Sequence, residues 1–258
     1  VNLIGLLAGD PVTLMFAWVV IDTIEFVHLY QTRLDRSSDA GLAAFMSIRI
    51  LSVIALAAGT VTGWLSMPAF GMAQIPQKAG IYFLLAAGLR LGVLPLHLPF
   101  FEEDQPLRRS LGTLLRLGPV AASLVLLPRT AQVSMPAGLQ SSLLVLTGLA
   151  AIYAGVVWLS ARNELDGRPF WILGMSALAV ASALRGQVAA SLAWGAAALL
   201  SGSLVFLASA SNRKLFPVLI LGFLSFSSLP YTPTWQGVEL YSPFVVQSLV
   251  FLPAHALL

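Results

Sequence analysis

The sequence contains no cysteine and few charged residues, and each shortage excludes whole classes of protein. Without cysteine, thiolate metal sites, iron–sulfur clusters and disulfide frameworks are all ruled out. Charged residues make up 10% of the chain, whereas an ordinary soluble domain has roughly 25%. We find no nucleophile–histidine–acid set, no phosphate-binding loop and no metal-ligand cluster, so soluble-enzyme chemistry has no support.

What the chain has instead is hydrophobic residues, which make up 58% of its 258 residues and form long runs. An α-helix needs about 20 apolar residues to cross a hydrocarbon core about 30 Å thick. On this measure we count about nine candidate spans. They are 11–31, 41–63, 79–98, 107–128, 139–160, 169–184, 187–210, 214–230 and 241–258. The predicted fold is all-α, a polytopic transmembrane bundle of about eight to nine helices forming one domain over 1–258.

The cationic residues are unevenly divided between successive loops, which predicts the orientation in the membrane. One set of alternate loops holds Arg33, Arg36, Arg108, Arg109, Arg162, Arg168, Arg213 and Lys214, and the other holds only Lys78, Arg129 and Arg185. By the positive-inside rule the first set is cytoplasmic and the N-terminus lies outside. The chain begins at Val1 within apolar sequence and without methionine, so we expect that its true start is missing.

Five charged residues lie well inside the predicted spans, namely Asp22, Glu25, Arg49, Arg90 and Arg116. Each unpaired charge at the centre of a bilayer costs about 2.5–3.5 kcal/mol, so these groups must be paired, hydrated or both. One interpretation is a set of buried ion pairs that fixes helix register, and the other is an ion path.

Asp22, Glu25 and His28 are spaced i, i+3, i+6 and therefore form a stripe on one helix face. We expect this stripe to face Arg90, Arg116 or Arg49 on neighbouring helices. Arg90 itself is predicted near the middle of a helix from Ile81 to Leu94.

Two spans are interrupted by proline, at 94–99 with Pro95 and Pro99, and at 229–233 with Pro230 and Pro233. A broken helix is tolerated in lipid only where its backbone is buried in protein or lines a wet cavity. The breaks fall in two halves of similar size, 1–128 and 139–258, which is a pattern typical of inverted-repeat transporters.

The histidines and the aromatic residues at span ends complete the sequence pattern. For His97, a helix-end histidine bonded to a carbonyl and a proton-path role are both open. We expect no function for His28, near the membrane surface, or for His255, near the terminus. Aromatic residues at span ends are predicted to be interface anchors, among them Trp64, Trp158, Trp171 and Tyr231.

The ordered series of motifs resembles the antiporter-like membrane subunits of respiratory complex I and of multisubunit cation/proton antiporters. Gly88-Leu89-Arg90 followed by Pro95-Leu96-His97 resembles the family's broken seventh helix and is the most specific match. Weaker matches are 10–18 to the start of the fifth helix, 44–49 to the sixth, 113–116 to the eighth, 165–168 to the loop before the tenth, and 229–233 to the broken twelfth. The resemblance implies one half-channel per repeat and a central row of ionisable residues, with proton movement driven by redox events elsewhere.

The departures from the family pattern concern the residues that would carry protons. Val19 stands where the family has a glutamate, for which Asp22 or Glu25 could substitute, and Arg90 and Arg116 stand at lysine or histidine positions. Ala198 and Gly202 occupy two further relay positions. Because arginine, with a pKa above about 12, does not release its proton at working pH, pumping is expected to be weakened or absent.

These observations favour a membrane subunit of a redox-linked, NADH:quinone oxidoreductase-like complex, in a prokaryotic plasma membrane or an organellar inner membrane. We expect no cofactor and no nucleic acid on the chain. Its partners would be lipid, protons or Na⁺, and the other membrane subunits. Two alternatives stay open, a subunit of a cation/proton antiporter and a structural membrane spacer that does not pump.

Overall fold

The computed structural model describes residues 2–32, 39–68, 70–100, 109–133, 135–207, 214–242 and 249–258. Within these ranges the chain forms α-helices, a 3-10 helix and turns, and no β-strand, which confirms the all-α prediction for the described residues. The helices are α1 Asn2–Leu7, α2 Pro11–Thr32, α3 Asp39–Ser66, α4 Gln77–Arg90, α5 Arg109–Leu124, α6 Leu126–Thr130, α7 Ala137–Ser160, α8 Glu164–Leu184, α9 Val188–Leu207, α10 Phe216–Ser225, the 3-10 helix Trp235–Tyr241, and α11 Phe251–Leu257.

Among the described residues, five helices are long and apolar enough to cross a membrane: α2, α3, α7, α8 and α9. Large apolar side chains such as Phe16, Ile54 and Leu149 are more than half exposed on their outer faces. Long apolar helices with large apolar side chains exposed on their outer faces are the normal surface of a protein in lipid. The chain is therefore a helical membrane protein.

The core is centred on α8, which packs against α7 and α9. Every residue of α8 from Trp171 to Leu184 is buried. Gly202 allows α9 to approach α8 closely, because a Cβ at this position would lie 2.9 Å from Cζ3 of Trp171. The interpretation of Trp171 as an interface anchor is therefore wrong, since its ring is fully buried against Phe206 and Phe226.

The helix containing Arg90 begins and ends four residues earlier than predicted, so that Arg90 is the last residue of α4 and not near its middle. Gly92 adopts φ +76°, and the amides of Gly92 and Val93 bond to the carbonyls of Leu89 and Gly88. This is the Schellman arrangement that ends a helix at a left-handed glycine. The break therefore begins before Pro95.

Other predicted spans are also divided or shortened. Span 107–128 consists of α5 and the short α6, and span 214–230 contains the ten residues of α10. Only α11, seven residues long, represents span 241–258 among the described residues, because 243–248 lie outside them. The acidic loop at 102–104 also lies outside the described residues.

Candidate functional site, a buried cluster of carboxylates and guanidiniums

The cluster is built on α2, whose N-terminus is fixed by a side-chain cap. The Asp10 carboxylate accepts hydrogen bonds from the amide and the hydroxyl of Thr13, at 2.8 and 2.6 Å. Pro11 then occupies the first helical position, where its missing N–H costs nothing. From this start, α2 places Asp22 and Glu25 towards α3, the end of α4 and α5.

Asp22 and Arg90 form a bidentate pair in the interior. Arg90 Nη1 donates to Asp22 Oδ2 at 2.8 Å, and Nη2 donates to Oδ1 at 2.5 Å. The Arg90 side chain is fully buried, and its guanidinium carbon lies 4.6 Å from the centre of the Trp18 ring. A planar guanidinium matched to both carboxylate oxygens is the geometry that arginine, and not lysine, can provide.

Glu25 is held less tightly, between two other arginines. Its carboxylate oxygens lie 3.5 Å from Arg49 Nη2 and 3.7 Å from Arg116 Nη1, which are ion-pair distances beyond good hydrogen-bond length. Its Oε2 atom accepts no hydrogen bond from any residue in the described ranges. The Glu25 side chain remains 15% exposed, so the carboxylate is buried but not sealed.

The segment that follows α4 completes the surroundings of the arginines. Arg49 Nη2 donates to the carbonyl oxygen of Pro99 at 3.0 Å, and the Arg116 guanidinium lies 4.8 Å from the Phe100 ring centre. The Leu94–Pro95 peptide bond is cis. Pro99 therefore contributes a carbonyl acceptor to the cluster, whereas Pro95 is exposed at the turn.

His97 is half-buried in the same segment and bonds locally. Its Nδ1 atom lies 2.8 Å from the carbonyl oxygen of Pro95. Of the two roles that the sequence left open, this contact is the one expected of a histidine that satisfies a carbonyl at a helix break. His28, the third member of the α2 stripe, is exposed.

The chemistry open to this cluster follows from its groups. Arginine stays protonated, so the carboxylates are the groups that could exchange a proton. Asp22 is occupied on both oxygens by Arg90, whereas Glu25 has an oxygen without a hydrogen bond within the described residues. In those residues no group of three or more histidine, cysteine or acidic side chains could hold a metal ion.

The second break has a different construction. After α10 ends at Ser225, the backbone passes through positive φ at Ser228 and Tyr231, and the 3-10 helix begins at Trp235. Pro230 and Pro233 lie between and are exposed. No charged side chain in the described residues of this segment faces the interior, in contrast to the first break.

His255 on α11, for which the sequence predicted no function, makes two polar contacts at the second break. Its Nδ1 lies 2.9 Å from the Tyr241 hydroxyl, and its Nε2 lies 2.9 Å from the carbonyl oxygen of Phe226. The available signal was weak, a single histidine in an apolar stretch near the end of the chain. Contacts across 14 and 29 residues leave no spacing pattern that sequence reading could detect.

No protein-family model matches this chain, and a search of curated proteins found no similar sequence.

Proposed function

We propose that this protein is a membrane subunit of a redox-linked ion-translocating complex, similar to the antiporter-like subunits of NADH:quinone oxidoreductase. Its buried cluster carries, or formerly carried, a proton path. The observation that carries the proposal is the position of Glu25, between two guanidiniums and beside an interrupted helix. A loosely bound carboxylate at this place can gain or lose a proton without breaking a direct hydrogen bond to its partners.

The free-energy cost of burying charged side chains supports a role for the cluster beyond packing. Arg90, Arg49 and Arg116 are all buried in a bundle whose outer surface is apolar. Ionisable residues inside membrane proteins are rare and mark ion paths or ion pairs. Replacing buried ion pairs by hydrophobic residues is often neutral or stabilising, so stability alone is weak grounds for keeping five charges here.

The same cluster explains why pumping is expected to be weak. Arg90 holds Asp22 by two hydrogen bonds and cannot pass on a proton at working pH. A lysine at position 90 would keep the positive charge but only one of the two hydrogen bonds to Asp22, and a buried lysine can deprotonate. Arg90 therefore acts as a fixed positive charge beside Glu25, and the proton step is assigned to Glu25.

The finer parts of the proposal come from the resemblance. They are two inverted repeats over 1–128 and 139–258, an N-terminus outside, and a prokaryotic plasma membrane or organellar inner membrane as the location. They also include assembly with other membrane subunits and transport of H⁺ or Na⁺.

The test is proton pumping by the native assembly in proteoliposomes, with Glu25→Gln compared with Glu239→Gln. Glu239 is an exposed carboxylate on the 3-10 helix, so the control makes the same chemical change outside the cluster. We expect Glu25→Gln to abolish any proton flux while subunit assembly and electron transfer persist, and Glu239→Gln to leave flux unchanged. Equal flux in both variants would refute the assignment of the proton step to Glu25.

A second arm tests the arginine. If the guanidinium limits the relay, Arg90→Lys should pump faster than the wild-type chain in the same vesicles. Equal and full rates for the two chains would show that arginine does not impair the relay.

The alternatives predict other results in the same preparation. Co-purification with iron–sulfur and flavin subunits favours the redox-linked complex, whereas small hydrophobic partners alone favour a cation/proton antiporter. If neutralising Asp22 and Glu25 together reduced assembly, without changing the ion flux of the complexes that still form, the structural spacer would be favoured.

A further inference from the structure

We propose that His255 is a proton-binding site in the second half of the molecule, with the Tyr241 hydroxyl as its exchange partner. Proton binding by His255 does not depend on the proposed function, whereas a role of His255 in transport rests on it. The second half was expected to lack relay groups, because Ala198 and Gly202 occupy two positions of the family pattern. The structure places an imidazole there that no sequence motif indicated.

The hydrogen bonds of His255 fix which nitrogen carries the proton. The Phe226 carbonyl can only accept, so Nε2 must donate to it across 2.9 Å. In the neutral imidazole, Nδ1 is then the acceptor, and the Tyr241 hydroxyl donates to it across 2.9 Å. Nε2 is therefore bonded to the carbonyl at the end of α10, and Nδ1 faces the Tyr241 hydroxyl, which can exchange a proton.

Proton uptake at this site has a simple balance. An incoming proton binds the Tyr241 oxygen as the hydroxyl proton of Tyr241 moves to Nδ1 of His255. The products are a neutral tyrosine and an imidazolium, so one proton and one positive charge are gained and no electron moves. The hydrogen bond then reverses, with Nδ1–H donating to the tyrosine oxygen.

The surrounding side chains hold the pair in place, and the imidazole is the less buried of the two groups. His255 is half-buried and Tyr241 is buried. The Trp194 ring lies 4.7 Å from the imidazole at 78°, and its Nε1 donates to the Gly237 carbonyl at 3.1 Å. These contacts join α9, α11 and the 3-10 helix around the pair.

Few other ionisable groups face the pair from the elements around it. Helices α9 and α10 contain none, and α7 contains only the exposed Tyr153. On the 3-10 helix Glu239 is exposed, and the guanidinium of Arg185, at the end of α8, donates to the carbonyls of Leu240 and Ser242 on either side of Tyr241. The acidic and basic residues of α8, namely Glu164, Asp166 and Arg168, lie in its first turns.

The two breaks are built differently, but at each of them a histidine nitrogen contacts a backbone carbonyl. At the first break, His97 Nδ1 contacts the Pro95 carbonyl, and at the second, His255 Nε2 contacts the carbonyl of Phe226 just after α10. The Phe226 carbonyl lies at the end of a helix, where carbonyls have no intrahelical donor and need another partner. A histidine can meet this need and still titrate near physiological pH, which an asparagine or serine cannot.

The experiment is a histidine NMR titration of the full chain, labelled with ¹³C and ¹⁵N histidine, in nanodiscs. The three histidines allow assignment by His28→Gln and His97→Gln, so His255 is identified even if its own variant does not fold. We expect the His255 ring to titrate within the pH range in which the chain stays folded and to carry its proton on Nε2 when neutral. No titration in that range, or a neutral ring protonated on Nδ1, would overturn the proposal.

Tyr241→Phe tests the exchange partner, with the exposed Tyr153→Phe as the matched control. A hydrogen bond to the charged ring is stronger than one to the neutral ring. Losing it should move the His255 midpoint to lower pH by roughly half a unit or more, and Tyr153→Phe should leave it in place. An unmoved midpoint in Tyr241→Phe would refute the role of Tyr241.

The transport role is tested separately, by proton flux in proteoliposomes of the complete assembly with His255→Gln. Reduced flux supports His255 as part of the path. Full flux, with a ring that titrates in the NMR experiment, would refute the transport role and leave the proton site intact. An assembly that never moves protons would also refute the transport role of His255, but it would agree with the loss of pumping that the proposed function allows and would leave the NMR result intact.

Discussion

At the scale of single residues, Asp22 and Glu25 lie three positions apart on α2 but are held by different contacts. Asp22 is fixed by two hydrogen bonds from Arg90, and Glu25 is held only by longer ion pairs with Arg49 and Arg116. The spacing predicted that both would share a face. It could not predict which carboxylate would be held in two-point contact, because that depends on where α4 ends.

Removal of the Asp22 carboxylate should be strongly destabilising. In Asp22→Ala the Arg90 guanidinium stays buried without its anion, and such losses cost about 3–5 kcal/mol. The expected result is a large fall in the free energy of unfolding, measured by denaturant titration of the detergent-solubilised chain.

The matched control is the double variant Asp22→Leu with Arg90→Met, which replaces both charges by apolar groups of similar size. We expect most of the lost stability to return, because no unpaired charge remains buried. A double variant as unstable as Asp22→Ala would mean that the loss arises from packing and not from charge.

At the scale of secondary-structure elements, the end of α4 decides the geometry of the site. Gly92 lies two residues after Arg90 in the sequence, and a glycine just past a basic residue is a recognised helix C-terminal signal. The predicted helix continued to Leu94 because its apolar composition does. The sequence therefore contains the signal for the correct end of α4, which is Gly92. Pro95 indicated an end farther along the chain.

Gly92→Ala should destabilise the protein. At φ +76° a side chain is strained, and a Cβ would contact the His97 carbonyl oxygen. We expect a loss of roughly 1–2 kcal/mol or more in the free energy of unfolding. The comparison is Gly138→Ala at the start of α7, where a Cβ meets nothing within 4 Å and stability should stay equal or rise.

The cap of α2 makes a pH-dependent contribution. The hydroxyl and amide of Thr13 hold the pKa of the Asp10 carboxyl below its usual range. The folded value is below that of the unfolded chain, about 3.9, so this contribution is complete above that pH and is lost as pH falls through the folded value. The wild-type chain should therefore lose this part of its thermal stability on acidification.

Asp10→Asn separates the titration from the cap. Asparagine can still accept from the Thr13 amide but does not titrate. The difference in thermal unfolding temperature between the wild-type and Asp10→Asn chains should shrink between about pH 7 and pH 3. A constant difference would show that the protonation of Asp10 is not coupled to folding. In Asp10→Ala the cap is lost altogether, so the free energy of unfolding should fall by about 1 kcal/mol at neutral pH.

At the scale of the whole molecule, composition predicted the helical membrane class, and the predicted span 11–31 begins where α2 begins. This start is marked locally by Asp10 and Pro11, because a cap and its helix are adjacent in sequence. The neighbours of each helix were not predictable, since apolar helices carry little information about which face meets which partner. For the same reason Trp171, interpreted as an anchor, is instead in the core, and His255 reaches partners that are distant in sequence.

The absence of cysteine makes the orientation directly measurable, because single cysteines can be added to the otherwise unchanged chain. Helix α7 has 24 residues and is about 36 Å long, enough to cross the bilayer. Ala137 and Arg162 are exposed at its two ends.

A membrane-impermeant maleimide should therefore label Ala137→Cys and Arg162→Cys from opposite sides of sealed vesicles. The positive-inside rule assigns Arg162 to the cytoplasmic side. Labelling of both from one side would contradict a membrane-spanning α7, and labelling from opposite sides in the reverse sense would refute only the predicted orientation.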